Sequence, residues 1–202
     1  MEAFRWLLQR PPNRGDAAIL KAEALGTRAP AWLDAMLKDV EGYFPVVDIA
    51  ALRTLPDGTF GREYARHMDQ SGLNPYVISP TLDHSLLKRH TYLVRQTVTH
   101  DMAHLLLDFD SSDVGEMGIY AFTVVQGAYT SMHVGLWLAA VIYPLRYPLR
   151  AKAIFDAIRR GWLLGKRSRF FLGVRLEELW QLSVGDVRET LGLPRDPMRP
   201  LS

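Results

Sequence analysis

Residues 84–109 read HSLLKRHTYLVRQTVTHDMAHLLLDF. Neither glycine nor proline interrupts this stretch, so nothing in it breaks an α-helix, and the spacing predicts one long helix. It stops where Asp108, Asp110, Ser111, Ser112 and Asp113 crowd together, because short polar side chains bond the backbone and end or restart helices. Ser112 is placed to cap the next helix, and Asp113 and Glu116 suit its positive first turn.

Helical signals continue on both sides, and no alternating strand pattern competes with them. Upstream, helices are predicted over Asp16–Leu25, from Pro30 to Val40, and over Arg62–Ser71 after the turn Pro56-Asp57-Gly58, with Gly72 as the stop. Downstream, one runs from Ser112 to Pro144, another follows Pro148, a third covers about Lys166–Leu182, and Ser183 opens a last short one closed by Gly192 and Pro194. The fold class is therefore all-α: a single-domain helical bundle over residues 1–202, with 1–15 and 195–202 as loose ends.

Met117–Leu145 carries no formal charge, a length that exceeds a bilayer span. Gln126, Thr130, Ser131, His133 and three glycines are scattered through it, which favours a long central apolar helix buried in protein. Gly127, Ser131, Gly135 and Ala139 form a small-residue stripe at spacing four, suited to close helix packing, across a dimer included, or to an isoprenoid chain. His133 reads as a packed polar residue.

Composition narrows the chemistry. Hydrophobic residues at 48% are enough for a core, and the absence of cysteine removes disulfides, thiolate metal sites and cysteine nucleophiles. A net charge of +2 argues against nucleic acid as a partner. The charge is uneven, however: from Arg146 to Arg175 nine basic residues face one acid, Asp156. That block suits docking on an anionic membrane as well as an ordinary solvated face. Met1–Arg10 lacks the charged start and long apolar stretch of a signal peptide, and a bacterial cytoplasm is the simplest home.

On the predicted helix His100 and His104 stand one turn apart, and Asp101 points about 60° from His104 at 100° per residue. With Glu116 arriving from the next helix, these residues make a four-ligand set for one divalent ion: zinc first, magnesium or manganese second. Asp108, a further turn along, is a supporting or replacement ligand. Two readings compete. A buried histidine pair with Glu116 as a capping acid needs no metal, and a His-Asp phosphohydrolase would recruit His67 and Asp156.

His100-Asp101-Met102-Ala103-His104, eleven residues, then Glu116 resembles the signature of the ubiquinone (coenzyme Q) biosynthesis protein 4 family. Leu55-Pro-Asp-Gly-Thr-Phe-Gly61 with Arg62 and Tyr64, the approach from Arg95 to His100, and Leu176-Glu-Glu-Leu-Trp180 extend the resemblance over about residues 52–194. It implies an all-helical, often dimeric, peripheral membrane protein with a metal at the signature and affinity for isoprenoid lipids. Two roles follow: a scaffold holding the ubiquinone-synthesising enzymes and a prenylated intermediate together, or an oxidative decarboxylase replacing the C1 carboxyl of a prenylated hydroxybenzoate by hydroxyl. The catalytic set would be His100, Asp101, His104 and Glu116, with Arg95, Gly127, Ser131 and Gly135 toward the substrate. The location implied is the inner face of the membrane, or the matrix side in a mitochondrion. Leu105–Asp110 departs from the family pattern in being more acidic and apolar.

Overall fold

The computed structural model describes residues 14–196 apart from residues 73 and 128–129. Among the described residues ten α-helices follow one another: α1 (Arg14–Ala24), α2 (Ala31–Met36), α3 (Ile49–Leu52), α4 (Phe60–Ser71), α5 (His84–Arg89), α6 (Thr91–Leu107), α7 (Asp113–Val125), α8 (Thr130–Arg146), α9 (Ala151–Arg167) and α10 (Val184–Thr190). Among the described residues no β-sheet forms; an isolated antiparallel bridge joins Thr59 to Ser183. The all-α expectation is met, while both chain ends named as loose fall largely outside the described residues.

The centre of the fold is α6. Tyr92, Met102, Leu106 and Leu107 are buried in the main apolar cluster with Phe60, Tyr64 and Met68 of α4 and Leu172, Leu176 and Val187 of the C-terminal region. Val94 and Val98, on its other flank, pack with Ile19 and Leu20 of α1. A helix buried on every side has no room for a solvated face. Of its polar side chains, Arg95, Thr99 and His104 bond to groups within the protein.

Four predicted helices are shorter than the sequence suggests, the one expected from Pro30 to Val40 closing at Met36 with a 3-10 turn over Lys38–Val40 after it. The one expected over residues 84–109 breaks at His90 (φ −119°, ψ 30°), whose buried ring lies 2.8 Å from Glu23 Oε2, pulling the chain out of helical register. The long uncharged helix does not exist as one element and is not central. It divides after Val125, where Gln126 bonds Gly165 O and the Phe171 N–H and Gly127 takes φ 108°, a conformation open to glycine alone. The helix expected over residues 166–182 gives way after Arg167 to 3-10 turns at Phe171–Gly173 and Leu176–Glu178, because the chain bends there to bring Phe171 to Gln126 and Glu177 to Arg95.

α7 and α9 touch backbone to backbone: a Cβ built on Gly161 would overlap the Gly118 carbonyl. α8 lies outside this pair, packing Met132, Leu136, Ala139 and Tyr143 inward. His133 falls off that inner line and is exposed, contrary to the packed position expected of it. Pro144 is accommodated inside α8 near its end.

Segments far apart in the chain are knit together around the start of α4. Phe60 stacks on Trp180 at 4.8 Å between ring centroids, and the N–H groups of Phe60 and Gly61 donate to the carbonyls of Leu182 and Trp180. Thr59 caps α4 by accepting from the Arg62 N–H, and Asp57 pairs with Arg62 and Arg66. Thus Leu55–Gly61 and Leu176–Trp180 are two sides of one contact.

Candidate metal centre

Two helices supply the site. His100 and His104 project from the C-terminal half of α6, and Glu116 from the first turn of α7. The tight link between them is set by Asp108, which ends α6 in the left-handed conformation (φ 55°), and by Ser112, whose hydroxyl accepts from the Gly115 N–H to start α7.

The donor atoms converge. His104 Nε2 lies 3.4 Å from His100 Nε2 and 3.2 Å from Glu116 Oε1, and His100 Nε2 lies 3.6 Å from Glu116 Oε2. A carbonyl can only accept, so the contact of His104 Nδ1 with Phe109 O (3.1 Å) assigns a proton to Nδ1; Nε2 faces the cluster, donating to Glu116 when the ring is protonated and offering a lone pair when it is neutral. Two imidazole nitrogens and a carboxylate therefore meet at a point that calls for positive charge. In tetrahedral zinc sites with metal–nitrogen distances of 2.0–2.1 Å, neighbouring ligand atoms stand about 3.3–3.4 Å apart. One donor atom from each of the three residues lies within 4.8 Å of the others, near that spacing.

Proton equilibria express the same demand. Hydrogen bonding to His100 and His104 holds the Glu116 carboxyl down at about 2, against the opposing effect of burial. Burial pushes His104 down, but the bond to and charge of Glu116, with smaller help from Phe109 O and Asp101, carry the ring upward on balance. The His104 side chain is 2% exposed, that of His100 27% and that of Glu116 47%, so the cluster is walled behind and open on the Glu116 side.

Asp101 is not drawn into this convergence. Among the described residues the set whose donor atoms lie within 4.8 Å of one another is His100, His104 and Glu116. Asp101 is buried behind them toward α4; burial raises its carboxyl, opposed by the nearby rings of His100, His104 and His67. Burial, then the charges of Asp101 and Glu177, push the Tyr64 hydroxyl strongly up. His67 of α4 stacks on His104 at 6.2 Å between centroids, and Tyr76 stands edge-on to His100 at 6.4 Å. Tyr76 comes from a loop with no sequence signal of its own.

The remaining sequence candidates lie elsewhere. Asp108 is exposed and its carbonyl accepts from Arg160. Arg95 is wholly buried: its guanidinium makes two bonds to the Glu177 carboxylate (2.7 and 3.2 Å) and donates to the carbonyls of Leu172, Tyr43 and Val174. It anchors α6 rather than facing an open site. Gly127 sits against Trp32, Gly135 against the Tyr120 hydroxyl, and the side chain of Ser131 lies outside the described residues. Asp156 is exposed on α9, paired with Lys152 at 2.5 Å, and does not join His67 and His100.

Beside His100 a narrow cleft of about 20 Å³ lies between α6 and α7, lined among others by Gln96, Ala103, Ile119, Phe122 and Leu172. No helix among the described residues is long and apolar enough to cross a membrane.

Fold and cluster together define an all-helical protein presenting two imidazoles and a carboxylate at one solvent-open point. The family of the coenzyme Q (ubiquinone) biosynthesis protein Coq4 matches residues 45–197, and the chain belongs to it. It is 28% identical to the human ubiquinone biosynthesis protein COQ4 homolog, mitochondrial, over 93% of this chain and 74% of that protein. The Xenopus tropicalis homolog is 30% identical, covering 92% of this chain and 69% of the relative. A crystal structure from Nostoc punctiforme, described as a candidate ubiquinone biosynthesis protein, superposes with a TM-score of 0.63 at 27% identity, over 88% of this chain and 80% of that one.

Proposed function

We propose that this chain acts in ubiquinone biosynthesis by binding one divalent ion, zinc in first place, on His100, His104 and Glu116, and presenting it to a prenylated aromatic intermediate. The observation that carries the reading is the convergence of His104 Nε2, His100 Nε2 and the Glu116 carboxylate, one donor atom of each lying within 4.8 Å of the others. Family membership supports the pathway.

An ion held there by His100, His104 and Glu116 would supply a Lewis acid to a carboxylate or phenolate oxygen of the aromatic head, suited to a C1 oxidative decarboxylation in which the carboxyl leaves as carbon dioxide, water provides the new hydroxyl and dioxygen takes the two electrons to become hydrogen peroxide. The protein's own groups do the rest. Phe109 O keeps the His104 ring in one tautomer and orientation, which is how outer partners tune a ligand. Asp101, buried behind both rings, adds the negative charge that favours a cation in front of them.

A non-catalytic role, holding a prenylated intermediate and the ubiquinone-synthesising enzymes together, is favoured by one observation: the apolar outer face of α8 is bare. Incubation of zinc-loaded protein with a prenylated hydroxybenzoate under air separates the two. Loss of the carboxyl group, abolished by His100→Ala, supports the enzyme; tight lipid binding without turnover supports the scaffold. Elemental analysis tests the metal itself: one ion per wild-type chain, and none retained by His104→Ala, is the expected result. Equal metal content in both proteins overturns the assignment.

A further inference from the structure

α6 ends just past His104, and the carbonyls at its end are all taken up by named donors. The last four carbonyls of a helix have no partner within it. Here the Phe109 N–H donates to His104 O at 3.0 Å, Arg188 of α10 donates to the carbonyls of Leu105 and Leu106 at 3.0 and 2.9 Å, and Arg160 of α9 donates to that of Leu107. Arg160 also reaches Asp108 O at 2.8 Å. Two distant elements thus bring cations to the negative end of the helix that carries both histidines.

The two arginines differ in what else they hold. Arg160 lays its guanidinium over the Phe109 ring, 4.1 Å from the centroid, a geometry in which a cation is attracted to the ring face. The same ring is buried on bare Gly118 of α7, where a Cβ would overlap it. Phe109 is therefore gripped from α9 and α7 together. Its carbonyl is the group that receives the His104 Nδ1 proton. Arg160 Nε is buried without a partner, a cost that a cation serving only as solvated surface does not bear.

We infer that Arg160 is a positioning residue for the candidate metal centre: by fixing the Phe109 ring it holds the carbonyl that orients the His104 imidazole and aims Nε2 at His100 and Glu116. Outer partners of this kind set the tautomer and orientation of a ligating imidazole. The consequence for metal affinity rests on the ion proposed above, whereas the grip on His104 is read in metal-free protein.

Zinc affinity by chelator competition, and the ring nitrogen resonances of His104 in metal-free protein with the ring neutral, test the inference. Wild-type protein is expected to show the proton on Nδ1. Arg160→Gln populates both tautomers and weakens zinc binding about tenfold, the lower end for loss of an outer partner. Phe109→Leu, which keeps the carbonyl and removes the ring, does the same, and the two changes together cost little more than either alone. Arg188→Gln strips two carbonyl bonds from the same helix end; it lowers the urea midpoint but leaves zinc affinity and tautomer as in wild type. Wild-type tautomer and affinity in the Arg160 or the Phe109 variant overturns the inference. So does an equal loss in Arg188→Gln, which would make general loosening of the helix end the cause. Wild-type protein that takes up no zinc defeats the proposed ion instead, and the His104 tautomer in Arg160→Gln then still decides whether Arg160 holds the ring.

Discussion

Glu177→Ala isolates the anchor on which the candidate site stands. Arg95 lies on α6 five residues before His100; its side chain is 0% exposed and that of Glu177 3%. Removing the carboxylate leaves a guanidinium buried with backbone carbonyls alone, and breaking a buried pair in this way costs about 3–5 kcal/mol. For a domain of this size each kcal/mol corresponds to roughly 2–4 °C, so the melting temperature should fall by about 6–20 °C. Urea titration of both proteins gives the free energy directly, with the midpoint shifting and the slope unchanged. If Arg95 instead served to hold an anionic ligand, the substitution would free it and stability would barely move. A loss below about 1 kcal/mol, the range of an exposed pair, would refute the anchoring argument.

The cluster also makes stability depend on pH in metal-free protein. Glu116 is depressed, so its contribution is present above 4.5 and lost as pH falls toward about 2; His104 is raised, so its contribution is full below 6.5 and lost as pH rises past its folded value. Their shared contribution peaks between 4.5 and 6.5, and Glu116→Gln should flatten that peak in urea midpoints measured across pH while lowering the His104 ring titration followed by NMR. Gly161→Ala forces α9 off the Gly118 carbonyl and is expected to cost about 1–3 kcal/mol, read by urea unfolding. A neutral effect would mean that the two backbones are not in contact.

Much of the fold is local chemistry and is legible along the chain. Thr59, Ser112 and Ser183 each accept the backbone N–H three residues on, and Gly72 ends α4 at φ 65°. His100 and His104 share a face because any α-helix would place them so. That the residues after Asp108 turn back and deliver Glu116 to them depends on short-range capping that Ser112 announces.

What the sequence withheld is long-range. One uncharged run looks like one helix until Gln126 finds partners about forty residues away and Gly127 turns the chain. Apolar spacing could not tell a buried helix from one with a bare face, because α8 is apolar on both lines and only packing decides which is covered. Arg95 looked like a ligand-binding group because a lone arginine near a metal motif has no partner in sequence; Glu177 reaches it only once the chain has folded back. Asp101 is the sharpest case. Its helical angle puts it near both histidines, and their charges act on it, yet it is buried and stays outside the set of converging donor atoms. Residue type and spacing thus determined the helices and the imidazole pair. Desolvation and packing between distant segments decided which polar groups face the open site and which are used to hold it.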